Sequence, residues 1–192
     1  MPSVIDVATY ILELSKLDSE DGEYELISPM KLQKLAYFCQ GFHLALYGAP
    51  LFPEAIEAWT HGPVCPRLYH ALKVYGASPI AAIIDPDKIN LDEREKNLIG
   101  MVYESYGQYS AAKLRQMTHK EGPWNSTWEG SQIPKDAMIR YFKSLLIVKA
   151  EDIPPSAPEE KKEILSILRE AQTNGEINLA EFSEPVGSAA NR

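Results

Sequence analysis

Cysteine is scarce in this chain: Cys39 and Cys65 are the only two in 192 residues, and neither belongs to a CxxC pair. Two thiols cannot build a disulfide framework, and the commonest paired-thiol zinc spacing is missing. One Cys39–Cys65 bridge stays open, but a reduced cytoplasmic protein is the simpler reading. Long apolar runs are lacking too, since no stretch reaches the ~18 residues that a membrane span requires. The opening MPSVIDVATYILEL has neither a basic start nor a small-residue cleavage site, so it does not read as a signal peptide. Positive charge is in deficit: 19 Lys and Arg face 27 Asp and Glu, for a formal charge of −8. Sequence-independent nucleic-acid binding needs the opposite balance, because phosphates must be neutralised. Neither a Walker pattern nor GxGxxG occurs, so no phosphate-cradling loop is expected.

The chain does have enough length and apolar content, 45% of its residues, to bury one core without staples. Residues 28–75 are the organising stretch. Ser28 and Pro29 read as an N-cap and a first-turn proline. Leu32, Leu35, Ala36, Cys39, His43 and Leu46 then draw one apolar stripe along a central helix, which Gly48 and Pro50 stop. Ile56, Ala58 and Thr60 alternate with Glu57, Trp59 and His61, which suits a short strand or hairpin near residues 51–60. Gly62, Pro63 and Pro66 should turn the chain into a third helix through Leu68, Leu72 and Tyr75.

Elsewhere the spacing predicts a first helix capped by Ser3, with Val4, Val7, Ala8, Ile11, Leu12 and Leu14 inward. An acidic loop over 18–25 follows it. A fourth helix should start at Asn90 and bury Leu91, Leu98, Met101, Val102 and Ser105, and a fifth should be capped by Ser110 and carry Leu114 and Met117. Residues 121–132 read as loop, and Pro134 opens a sixth helix with Met138, Tyr141, Phe142, Leu145 and Leu146 on its apolar face. Residues 77–84 fit strand or loop equally. The expected fold is therefore mainly α: a single domain of about six helices over residues 1–150, with a minor hairpin element. Residues 151–192 should form a proline-containing linker, a short amphipathic helix over 161–172 and a disordered acidic tail. That tail holds nine acids against four bases, a net of −5.

Two chemical constellations can be drawn. Cys39 with His43 and His61 with Cys65 each stand four apart, which is a ligand count for zinc. Cys65 beside His61 and Arg67 is the one candidate for an activated thiolate. Against both, a cysteine on a core stripe behaves as a small apolar residue, and no third orienting group is in view. Trp59, His61, Pro63 and Tyr69, with His119, Pro123 and Trp124, form two aromatic-and-proline clusters on or beside turns. They read either as plugs at the ends of the core or as a protein-binding face, because Trp, Tyr and Arg on rigid turns supply contact area at low entropic cost. Lys31, Lys34, Arg67 and Lys73 are too sparse for a DNA-reading surface.

The stretch 31–64 also resembles the Panacea domain, the SocA-like antitoxin family also seen in prophage proteins. Carrying the resemblance are Lys31-Leu32 with Lys34-Leu35, Tyr37-Phe38, Gly48 before Pro50-Leu51-Phe52, and Glu57-Ala58-Trp59 followed by Gly62-Pro63-Val64. Tyr106-Gly107, Ser110-Ala111, Leu114, and Thr118-His119 through Pro123-Trp124 extend it over roughly residues 3–145. What the resemblance implies is a cytoplasmic antitoxin that neutralises a cognate protein toxin by direct binding, not an enzyme, with no cofactor or metal. Trp59, His61, Arg67, Tyr69, His119 and Trp124 are the expected partner-binding residues. An alternative within the family is an adaptor that delivers the toxin to a AAA+ protease. A Cys/His or zinc-dependent hydrolase is the alternative from another class. Neither a membrane nor nucleic acid is expected as a partner.

Overall fold

A computed structural model describes residues 1–20, 27–80, 89–120 and 122–146. At its centre lies α2, Pro29–Tyr47. Ser28 is extended (φ −83°, ψ 158°) and its Oγ accepts the Lys31 N–H at 3.4 Å, satisfying one of the donors a helix start leaves unpaired. At the other end Gly48 turns left-handed (φ 67°) and donates its N–H to the Leu44 carbonyl at 3.0 Å. Both ends are where the sequence places them, but a single apolar stripe understates the burial. Every residue from Lys31 to Ala45 is buried, so α2 is packed on all sides.

The polar side chains on this helix explain how that is tolerated. Gln33 and Gln40, two turns apart, each hold a piece of extended backbone. Gln33 donates to the Cys65 carbonyl (3.2 Å) and accepts the Cys65 N–H (2.9 Å). Gln40 donates to the Phe52 carbonyl (2.9 Å) and accepts the Leu51 N–H (2.7 Å). A side-chain amide carries the same donor and acceptor as a peptide unit, so it stands in for a missing neighbouring strand. Leaving those buried groups unpaired would cost about 1–3 kcal/mol each. His43 donates from Nδ1 to the Ala49 carbonyl at 2.7 Å, tying down the exit of the helix.

Six further helices are present among the described residues: α1 (Val4–Glu20), α3 (Pro66–Leu72, extended by a 3-10 turn, Lys73–Tyr75), α4 (Glu93–Tyr106), α5 (Ala111–Thr118), α6 (Gly122–Asn125) and α7 (Lys135–Leu146). The fold is mainly α, as expected. Met1–Phe142 makes one compact unit. α1 is capped as predicted by Ser3, which exchanges hydrogen bonds with Asp6 (2.7 and 3.3 Å). Its inward residues are those expected except Leu14, which is only half-buried. The helix also runs on to Glu20, past the point where a loop was predicted. α4 starts two residues later than the Asn90 cap implied. Asp92 and Glu95 form a reciprocal capping box there (2.8 and 2.9 Å), satisfying two donors where a lone Asn would satisfy one. Its buried face is Leu98, Ile99, Val102 and Tyr103, with Met101 and Ser105 half-buried. Ser110 caps α5 as predicted, accepting the Lys113 N–H at 3.2 Å. α6 is a single turn inside the segment expected to be loop.

α7 brings Phe142 against α2, where its ring meets Tyr37, Phe38 and Phe42 at centroid distances of 5.5, 6.2 and 5.0 Å. Gly41 makes room for it: a Cβ at that position would lie 2.2 Å from the ring. The predicted linker, short helix and tail fall outside the described residues, as do half of the strand-or-loop segment 77–84 and the greater part of the acidic loop.

The hairpin is β1 (Glu57–Trp59) against β2 (Gly62–Val64), antiparallel, pairing Trp59 with Gly62 and Glu57 with Val64. The hairpin lies further along than the predicted 51–60: its turn is Thr60-His61, and Gly62-Pro63, expected in the turn into the third helix, belong to β2. Gly62 supplies the left-handed φ of 97° just after Thr60-His61. Pro63 sits within a strand without penalty because its partner Ala58 asks nothing of it. The Ala58 N–H and carbonyl both point the other way, to the Ser131 carbonyl (2.9 Å) and the Gly130 N–H (2.6 Å).

Candidate partner-binding surface

The hairpin and α3 carry four of the six expected binding residues, and α5 and α6 bring the other two. Trp59 and Tyr69 meet edge to face at 5.0 Å, with the indole N–H of Trp59 donating to Glu57 Oε2 at 2.8 Å. His119 stacks on Trp124 at 4.0 Å and 17°. The Trp124 indole N–H donates to the Trp59 carbonyl at 3.0 Å, so the second cluster is tied to the back of the hairpin. The six residues thus gather about one hairpin without forming one surface.

A groove of about 380 Å³ opens on one side of it. Pro29, Met30, Gln33 and Lys34 from the start of α2 form one wall, and Trp59, Thr60, His61 and Val64 from the hairpin form another. Tyr69, Leu72, Lys73 and Gly76 close the third side. Of the expected residues, Trp59, His61 and Tyr69 line this groove, whereas Arg67, His119 and Trp124 do not. Tyr69 is 44% exposed and Met30 is exposed beside it, both at the rim. Lys34 is almost wholly buried at the base and donates from Nζ to the Pro63 carbonyl at 2.8 Å.

Arg67 is engaged elsewhere. Its guanidinium pairs with Glu54 Oε1 at 2.8 Å, while Glu54 Oε2 accepts the Val4 N–H at 3.1 Å, so the pair links the starts of α1 and α3. His119 has a lowered pKa because burial disfavours its charged form, and the positive charges of Arg115, Lys34 and His61 act in the same direction. Its Nε2 and the Nε of Arg115 are buried without a hydrogen-bond partner. Half-buried and tied to the Trp59 carbonyl, the stacked pair braces the hairpin.

The thiol and metal constellations come apart in the fold. Cys39 is fully buried and Cys65 nearly so, and burial pushes both thiols up, away from the thiolate that nucleophilic or ligand chemistry needs. Both are free thiols. Cys65 occupies the N-cap position of α3 with its backbone held by Gln33, while His61 is exposed at the hairpin tip. His43 is held by the Ala49 carbonyl, and burial lowers its pKa. Among the described residues, no three His, Cys, Asp or Glu side chains are grouped to hold a metal ion.

Sequence reasoning missed the base and far wall of the groove: Met30, Gln33, Lys34, Val64 and Leu72. Lys34 was visible as part of the Lys-Leu repeat of the resemblance and among basic residues too sparse to read DNA. It also missed Trp128, which is 86% exposed in the turn after α6. The excess of Gly, Ser and Trp in that segment was the available signal.

The family described as "Antitoxin SocA-like, Panacea domain" matches residues 32–125. Over those residues, just under half of the chain, this protein is similar to the SocA-like Panacea family. The match runs from the first turns of α2 through α6 and takes in every groove residue except Pro29 and Met30. The curated protein "Antitoxin SocA" of Caulobacter vibrioides (strain NA1000 / CB15N) is 32% identical over 113 residues, covering 52% of this chain and 58% of that relative's length. No solved structure matches the chain. No described helix is long and apolar enough to cross a membrane.

Proposed function

We propose that this protein is an antitoxin which neutralises a cognate protein toxin by direct contact in the cytoplasm, without catalysing a reaction. The observation that carries the reading is the groove on the Panacea domain: a preformed concavity between rigid elements, with Tyr69 and Met30 exposed at its rim. Aromatic and methionine side chains in that setting are the usual anchors of a protein interface. The similarity to an antitoxin supplies the kind of partner. Trp59, His61 and Tyr69 are the residues on which contact would centre. His119 and Trp124 would support the hairpin from behind, and Arg67 would stay with Glu54.

The test is co-expression with the candidate toxin encoded by the adjacent gene, scored by growth rescue and by co-purification of the two proteins. Rescue with a stable complex supports direct neutralisation. Rescue that disappears in a protease-deficient host, with no stable complex, would replace this reading with proteolytic delivery. A neighbour without toxicity would remove the antitoxin reading.

A further inference from the structure

The groove has a local chemistry opposite to that of the whole chain. Against a formal charge of −8, the described residues that line it include Lys34, Lys73 and His61 but no Asp or Glu. Lys34 brings a buried ammonium to the base, held by the Pro63 carbonyl, and Lys73 and His61 stand exposed on opposite walls. Between these polar groups the walls are apolar: Met30, Val64, Tyr69 and Leu72. A site of this size with apolar walls and a few convergent polar groups selects its occupant by both properties.

We propose that the groove binds a short acidic–apolar segment of the protein toxin. A carboxylate is drawn to the Lys34, His61 and Lys73 side, and an adjacent aliphatic or aromatic side chain enters between Met30 and Tyr69. The proposal rests on the antitoxin reading only for the source of the segment. Charge complementarity argues for it, because a cationic groove on an acidic protein attracts carboxylates at one place and repels them elsewhere, which selects register as well as partner. Methionine at the rim lets the wall adapt to side chains of different shape.

Two measurements on the full-length chain test this separately from the proposed function. A random dodecapeptide library displayed on phage is panned on the purified protein. Enrichment of Asp or Glu next to Leu, Ile, Phe or Trp is expected. Such a peptide should bind about tenfold more weakly to the H61E/K73E variant and at high salt, with K135E unchanged as a charge control. Both reversed residues are exposed, and the neutralised pair H61Q/K73Q, expected to give a smaller loss in the same direction, guards against misfolding. No enrichment, enrichment of basic peptides, or equal binding by H61E/K73E would overturn the proposal. In the co-expression assay, H61E/K73E should lose rescue while K135E keeps it. If H61E/K73E rescues as well as the wild type, the toxin does not use this groove, although the antitoxin reading survives. If the wild type itself fails to rescue, the antitoxin reading falls and the peptide result decides the chemistry of the groove.

Discussion

Trp59 with Tyr69 and His119 with Trp124 have much the same composition, an aromatic pair beside a turn, yet the fold gives them different work. The first pair faces the groove and leaves Tyr69 substantially open to solvent. The second turns its indole N–H to the Trp59 carbonyl and buries its imidazole Nε2. One pair offers a surface and the other holds that surface in place. Aromatic density in a sequence thus marks where a rigid feature is needed, without saying which side of it meets the partner.

The most severe way to break this distinction is Gly62→Ala, because Gly62 lies between the two clusters. An added Cβ would come within 2.8 Å of Thr118 Oγ1 and 2.9 Å of Lys34 Nζ, at a φ that disfavours side chains. We expect a loss of about 3 kcal/mol or more in urea unfolding, with groove and brace disrupted together. Trp124→Ala should come next, at about 2–3 kcal/mol, and Trp124→Phe, which keeps the stack but drops the hydrogen bond, at about 1 kcal/mol. Equal losses from Trp124→Ala and Tyr69→Ala would erase the distinction.

The brace also predicts a pH dependence. His119 and His43 both have pKa values lowered from 6.5 by burial. The unfolded chain therefore takes up protons first, so stability is full above about pH 6.5 and declines as the pH falls through the lowered values. Thermal melts from pH 7.5 to 5 should show that slope, made shallower by His119→Gln; a flat profile would mean these rings are not desolvated. Arg67→Ala should cost at most about 0.5 kcal/mol, since its partner contact is 61% exposed on the arginine side, and should leave toxin rescue intact. Tyr69→Ala should have the smallest effect on folding, within about 0.5 kcal/mol, while rescue is lost. Rescue that survives Tyr69→Ala but fails with Arg67→Ala would reverse the assignment of the surface.

Local signals were legible in the sequence, and pairings across space were not. Ser3, Ser28, Ser110 and Gly48 mark helix ends through bonds to residues three or four away, so one short window contains the whole argument. Asn90 shows the limit: a good cap residue loses to Asp92 because Glu95 reciprocates. Periodicity assigns Gln33, Lys34 and Gln40 to solvent because it weighs polarity alone. They are buried because backbone from residues 51–65 comes to them, and that encounter is set by tertiary structure. For the same reason Cys65, read as a turn thiol, is an interior one. Pro63 was placed in a turn because nothing local announces that Ala58 pairs on its other side. Half of the expected binding residues do line the groove, and the other half stand behind it or beside it.

Gln33 and Gln40 clamp the chain at Cys65 and at Leu51-Phe52, so the loop and hairpin between hang from two fixed pegs on one rigid helix. The stretch between the pegs supplies one wall of the groove. Its exposed tip, Thr60 and His61, can vary without moving the core, whereas Ile56, Ala58 and Gly62 are packed against it. That tip is the part of the groove wall that a lineage can vary while inheriting the scaffold intact.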